Sequence, residues 1–211
     1  MNAAQSVAQD LLSINAVTLR PNDPFTWASG LKSPIYCDNR LTISYPSVRK
    51  GIYDGMTDLI KHYYGEVNVI AGTATAGIPH AAWVAQQMDL PMVYVRSKPK
   101  DHGQGKQIEG VLQPRQKVVV IDDLLSTGGS VLKAVHAVQA AGAEVMGVVA
   151  VFSYELAAAT KNFTDEQISF HTVTNYSTLI DVAKQNGDIT DADLASLKQW
   201  RADPTKWLAK G

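Results

Sequence analysis

Residues 118–130, VVVIDDLLSTGGS, constrain this chain more than any other stretch. The four β-branched residues at its start form an apolar run of the kind buried on both faces of a parallel sheet. The later residues read as a loop opening into a helix over 130–141, where Val131, Val135 and Val138 fall at i, i+4 and i+7. A helix start preceded by Ser126, Thr127, Gly128, Gly129 and Ser130 suits a phosphate. Glycine lets backbone N–H groups close on the anion, the hydroxyls add donors, and the helix dipole favours negative charge. Asp122 and Asp123 come just before that turn, where two carboxylates can accept hydrogen bonds from vicinal hydroxyls. A phosphate on one side and a diol on the other describe a ribose 5-phosphate. The same residues would also make a plain βα turn, with Asp and Gly serving local geometry. The stretch is neither a G-x-x-x-x-G-K-[ST] loop nor a G-x-G-x-x-G fingerprint.

Around it the chain alternates short apolar strands with amphipathic helices. The pattern predicts helices over 46–64, 78–88 and 130–141, and strands over 67–71, 92–96, 117–121 and 145–152. Residues 170–174 come next, then helices over 177–185 and 191–200. Alternation of this kind implies an α/β fold with a doubly wound, mainly parallel sheet flanked by helices. The 211 residues, 45% of them hydrophobic, suffice for a single domain with one core. Residues 46–174 are expected to form that core. A small hood would come from about 1–45 and the C-terminal helices.

Charge and cysteine content exclude several classes. A net charge of −1 gives no electrostatic case for a nucleic-acid or membrane partner. One cysteine, Cys37, excludes an internal disulfide and points to a reducing compartment. The start, MNAAQSVAQD, lacks the basic region of a secretory signal. No apolar run approaches the ~20 residues of a membrane helix. The expected location is therefore cytoplasmic. His62, His80, His136 and His171 have no metal-ligand spacing, and no Cys/His cluster suits zinc.

Ligands of such sheets sit beyond the carboxyl ends of the strands, which singles out three loops. The first is 118–130. The second, 72–77, reads GTATAG and offers backbone amides and the hydroxyls of Thr73 and Thr75 to an anion, although it would also suit close helix–sheet packing. The third, 96–107, reads RSKPKDHGQGKQ: four cations and a histidine with no apolar residue, either a solvated surface loop or a functional one.

Residues 118–130 resemble the PRPP (phosphoribosyl diphosphate) signature of the type I phosphoribosyltransferases. RSKPKDHGQG resembles the mobile catalytic loop of the orotate branch. Residues 25–40, FTWASGLKSPIYCDNR, resemble that branch's N-terminal hood in its F-T-x-x-S-G-x-x-S-P form. The resemblance implies Mg²⁺-dependent transfer of ribose 5-phosphate from PRPP to orotate, giving orotidine 5′-monophosphate and diphosphate. It implies a homodimer whose mobile loop serves the neighbouring subunit. It assigns Lys100, His102, Asp122 and Asp123 to catalysis. PRPP would be held by Arg96, Lys100, His102, Asp122, Asp123, Leu124, Leu125, Ser126, Thr127, Gly128, Gly129 and Ser130, with Thr73 and Thr75. Orotate would meet Ser126, Tyr36 and Cys37. No direct protein ligand to the metal is expected.

This chain departs from the pattern in four places. Ala76 and Ala28 stand where some relatives carry lysines. Tyr154 stands where those relatives carry an arginine for the orotate carboxylate, which leaves Arg40 or Lys32 to supply a cation. Ser97 displaces a second loop lysine to Lys98. Two other readings stay open: a purine phosphoribosyltransferase, and a PRPP-sensing regulator without catalysis on the same fold.

Overall fold

The computed structural model describes residues 2–27, 30–98 and 107–207. Its elements in chain order are α1 (Ala3–Ser13), β1 (Val17–Leu19), β2 (Phe25–Thr26), β3 (Lys32–Ser33), β4 (Ile35–Cys37), a 3₁₀ turn (Asn39–Ser44), α2 (Pro46–Tyr63), β5 (Val69–Thr73), α3 (Gly77–Met88), β6 (Met92–Val95), β7 (Ile108–Glu109), β8 (Lys117–Leu125), α4 (Gly129–Ala140), β9 (Glu144–Ser153), α5 (Ala157–Asp165), β10 (Phe170–Asn175), α6 (Tyr176–Asn186) and α7 (Asp191–Ala202). Six strands form one sheet in the order β10-β9-β8-β5-β6-β7, all pairs parallel except β6 with β7. This is the α/β fold with a mainly parallel sheet that the sequence pattern predicts.

Period-two alternation sends β8 into two cores. Val118 and Val120 pack with Val131, Val135 and Val138 of α4 and Phe163 of α5. Val119 and Ile121 face the opposite way, into a larger cluster that takes in α1, α2 and α3 and continues into the C-terminal helices. No helix among the described residues is long and apolar enough to cross a membrane.

The hood is built from two small antiparallel pairs, β1 with β4 and β2 with β3. An aromatic cluster joins it to the C-terminal helices. Trp27 lies 5.3 Å from Tyr154 and 5.8 Å, edge-on, from Trp200, which in turn lies 5.4 Å from Tyr176. The Trp200 indole N–H donates to the Lys32 carbonyl at 2.9 Å. Tyr154 is buried in this cluster.

Three differences from the sequence reading have physical causes. The strand expected over 117–121 runs on to Leu125, because β9 continues beside it and pairs Asp122 with Ala150, Leu124 with Phe152 and Leu125 with Ser153. Helix α1 is absent from that reading; its Asn2 capping box with Gln5 and its buried Val7, Ala8 and Leu11 specify it, but the apolar stripe is narrow. Helix α5 buries only Ala159 and Phe163, too little periodicity to stand out.

Candidate active site

The carboxyl ends of β5, β6 and β8 bring the 72–77 turn, Arg96 and the Asp122–Asp123 pair to one edge. The arrangement depends on close backbone approach at Gly77, the first residue of α3. A Cβ there would sit 2.6 Å from the Ile121 carbonyl oxygen, so only glycine lets the 72–77 turn lie directly beside the aspartates. Thr73 ends β5 and is buried, while Thr75 is exposed in the turn after it. The Ala74–Thr75 peptide bond is cis.

Asp122 is buried and Asp123 half-buried at the end of β8. The Asp123 amide donates to Asp122 Oδ1 at 2.9 Å. Burial raises both carboxyls above the ordinary carboxylate range, and the Asp123 charge raises Asp122 further. Two acids held at a solvent-facing strand end against their own solvation are poised to receive donors or positive charge.

Beyond them Leu124 and Leu125 are still strand. Leu125 turns its side chain into the α4 core, and its carbonyl accepts from the Tyr154 amide at 3.0 Å. The turn Ser126–Thr127–Gly128 then enters α4 with no side-chain cap, so the first-turn N–H groups stay available to an anion. Gly128 adopts φ +78°, and an added Cβ would fall 2.5 Å from the Phe163 ring. Asn162 of α5 donates to the Thr127 carbonyl at 2.9 Å and pins the turn from behind. Gly129 and Ser130 form the exposed first turn.

Arg96 directly follows β6, and its guanidinium lies 3.4 Å from Glu109 of β7. Lys98 is exposed. Lys100, His102 and Ala28 lie outside the described residues.

The hood meets the strand end through a residue that the sequence reading missed. Asn39 is buried, donates from Nδ2 to the Asp123 carbonyl at 2.6 Å, and accepts from the Cys37 thiol at 3.3 Å. An asparagine in a surface-like turn gives no periodicity signal. Strand β4 alternates, so Tyr36 is 46% exposed while Cys37 is buried. The Cys37 thiol points inward, and burial together with Asp123 pushes it up from its ordinary value. Tyr154 is buried against Trp27 in the aromatic cluster. Its hydroxyl meets the Cys37 backbone, and burial raises its pKa. Of the two substitute cations, Lys32 donates to the Thr26 hydroxyl at 2.7 Å. Arg40 grips Asp38 through Nε at 2.6 Å and Nη2 at 2.8 Å while facing Asp123 and Tyr36.

Among the described residues, no group of three or more His, Cys, Asp or Glu is arranged to hold a metal ion. At the cleft the Asp122–Asp123 pair offers two carboxylates.

Comparison with known proteins assigns the arrangement. Residues 46–182 match the phosphoribosyl transferase domain family. The chain is 62% identical over 204 residues to the orotate phosphoribosyltransferase of Lactiplantibacillus plantarum, covering 97% of this chain and 96% of that one. It is 60% identical to the enzyme of that name from Enterococcus faecalis, covering 97% of each. The crystal structure of orotate phosphoribosyltransferase from Aeropyrum pernix superposes with a TM-score of 0.75 at 26% identity, over 87% of this chain and 99% of that one. With its buried aspartate pair set directly before an uncapped glycine turn, the chain belongs to the orotate phosphoribosyltransferase family.

Proposed function

We propose that the protein transfers ribose 5-phosphate from PRPP to orotate, giving orotidine 5′-monophosphate and diphosphate, a pentosyltransferase step of pyrimidine biosynthesis. The observation that carries this reading is the pair of carboxyls ending β8 immediately before the uncapped start of α4. The N–H groups and hydroxyls of Ser126–Ser130 take the 5′-phosphate. Asp122 and Asp123 accept from the ribose hydroxyls, with the backbone of Leu124 and Leu125 shaping the floor. The diphosphate end lies toward Thr73, Thr75 and Arg96, joined by Lys100 and His102. Tyr36 and Ser126 border the base.

Charge development explains the residue types. As the C1–O bond breaks, its electron pair leaves on the diphosphate and the ribose becomes cationic. Arg96, Lys100 and His102 stabilise the departing charge, and the two carboxylates stabilise the ring. N1 of orotate bonds to C1 from the opposite face as its proton is released. No protein group is covalently modified. Asn39 holds the Asp123 carbonyl, and through it the hood, so the base and the ribose share one frame. In this reading loop 96–107 has the task of excluding water that would hydrolyse PRPP.

Magnesium fits this donor set. Asp122 and Asp123, whose proton affinity burial has raised, would favour a nearby divalent ion, which substrate phosphates and water rather than a protein cage would hold. When bound it neutralises charge on the diphosphate. The same reading includes a homodimer sharing the 96–107 loop across subunits, and a cytoplasmic location.

The test is the loss of orotate ultraviolet absorbance on mixing protein, orotate, PRPP and Mg²⁺, with uracil and hypoxanthine in parallel. Loss that requires PRPP and metal, with orotate alone, supports the reading. Turnover of another base instead, or PRPP binding with no turnover, sinks it in favour of a purine enzyme or a regulator respectively.

A further inference from the structure

Behind the 72–77 turn lies a cavity of about 220 Å³ lined by Thr73, Ala74, Arg96, Ser97, Ser130 and Lys133, with no carboxylate among the described residues of its wall. Three observations bear on what it can hold. Thr73 is 5% exposed and its hydroxyl has no hydrogen-bond partner among the described residues, a condition that folded proteins avoid unless a ligand or water meets the group. Lys133 has no ion-pair or hydrogen-bond partner among the described residues, whereas Arg96 is shared with Glu109. Ser130 and Lys133 stand one helical turn apart on α4 and both line the cavity, which places an ammonium at its wall. The 72–77 turn itself carries no charge.

We propose that Lys133 is a further diphosphate-binding residue: with Arg96 and the Thr73 hydroxyl it forms the oxyanion subsite that takes the leaving end of PRPP. The inference rests on the functional reading above and adds the cation that the uncharged 72–77 turn does not supply. A lysine suits the position because its long, rotatable stem delivers a point charge without fixing the anion's orientation. Loss of the ammonium removes charge-assisted bonds to phosphate oxygens.

The test is calorimetric titration of inorganic diphosphate into the full-length protein, together with steady-state kinetics. Lys133→Ala is expected to weaken diphosphate and to raise KM for PRPP by about tenfold each. KM for orotate and the melting temperature should stay unchanged, and Lys133→Arg should restore binding. Lys198→Ala, which removes an exposed lysine of α7, should change nothing. Thr73→Val should weaken diphosphate yet raise the melting temperature, because it deletes a hydroxyl that only the ligand satisfies; a merely structural threonine would not separate the two readouts. A diphosphate affinity in Lys133→Ala within about twofold of wild type, or a loss matched by Lys198→Ala, overturns the proposal. So does a loss of inorganic phosphate or diphosphate binding with KM for PRPP unchanged, since the cavity would then be a separate anion site. Lys133-dependent diphosphate binding in a protein that does not turn over orotate would instead overturn the functional reading and leave the subsite standing.

Discussion

Strand β8 has two halves that obey opposite rules. Val118–Val119–Val120–Ile121 is buried among apolar neighbours on both faces, and every side chain there contributes to stability. Asp122 and Asp123 continue the same strand beside the same partner strand, yet burial works against them. Four residues hold the sheet together and the next two oppose it, at the point where a ligand would sit. The difference teaches that a site can be located by where a well-formed element turns against its own stability.

The largest effect should come from the carboxylates. Asp123→Asn, and likewise Asp122→Asn, is expected to lower kcat by about 10³-fold, the scale for removing an aimed charge at a developing one. The same substitutions should raise the melting temperature, since a neutral amide escapes the cost of burying a charge. Rate assays and thermal melts on one preparation check both. A melting temperature that falls would break the comparison.

Ile121→Ala, one residue away, should do the reverse. It is expected to cost about 4 kcal/mol of stability in urea unfolding while leaving the kcat of the folded protein close to wild type.

A pH titration sharpens the contrast. The aspartate pair binds protons more tightly folded than unfolded. Its contribution to stability is therefore full below the ordinary carboxylate value of 3.8 and is lost as pH rises through the raised values. His80 runs the other way. It is buried on α3 with neither ring nitrogen partnered among the described residues, and burial lowers its pKa from 6.5 to about 4. Stability linked to it is full above pH 6.5 and is lost as pH falls toward 4, on the order of 3 kcal/mol. Urea midpoints across that range should lose this acid-side slope in His80→Leu and keep it in the aspartate variants.

The smallest effect is Gly128→Ala, at about 2 kcal/mol, from the positive φ and the clash with Phe163. Because Gly128 also shapes the turn before α4, KM for PRPP should rise as well.

Much of this was legible in the sequence, and unevenly so. Parallel strands such as 145–152 and helices such as 46–64 announce themselves because burial on two faces or one stripe leaves a period in the letters. The end of β8 did not, because aspartate is a poor strand residue and only the paired β9 keeps it extended. The turn that enters α4 was legible through its glycines and hydroxyls. Asn39 and Lys133 were not, since what distinguishes them is a partner 84 residues away in one case and a cavity wall in the other. The direction of the Cys37 side chain was not legible, because neighbours in three dimensions decide it.

The hydrogen bond from Trp200 to the Lys32 carbonyl spans 168 residues of chain. A second tie across the same gap runs from Asn22 to Asp193 at 3.0 Å. During synthesis the segment bearing Tyr36 leaves the ribosome early, but what steadies it is among the last parts to emerge. The sheet can close on itself well before then, since β5 to β10 are complete by residue 175. The hood is thus fastened only after the sheet is complete. On the proposed reading, a half-made copy would possess the turn before α4 without a steadied hood, so nascent chains should remain catalytically silent. A chain cut after Asn186 is expected to keep the sheet's circular-dichroism signature and to show no turnover.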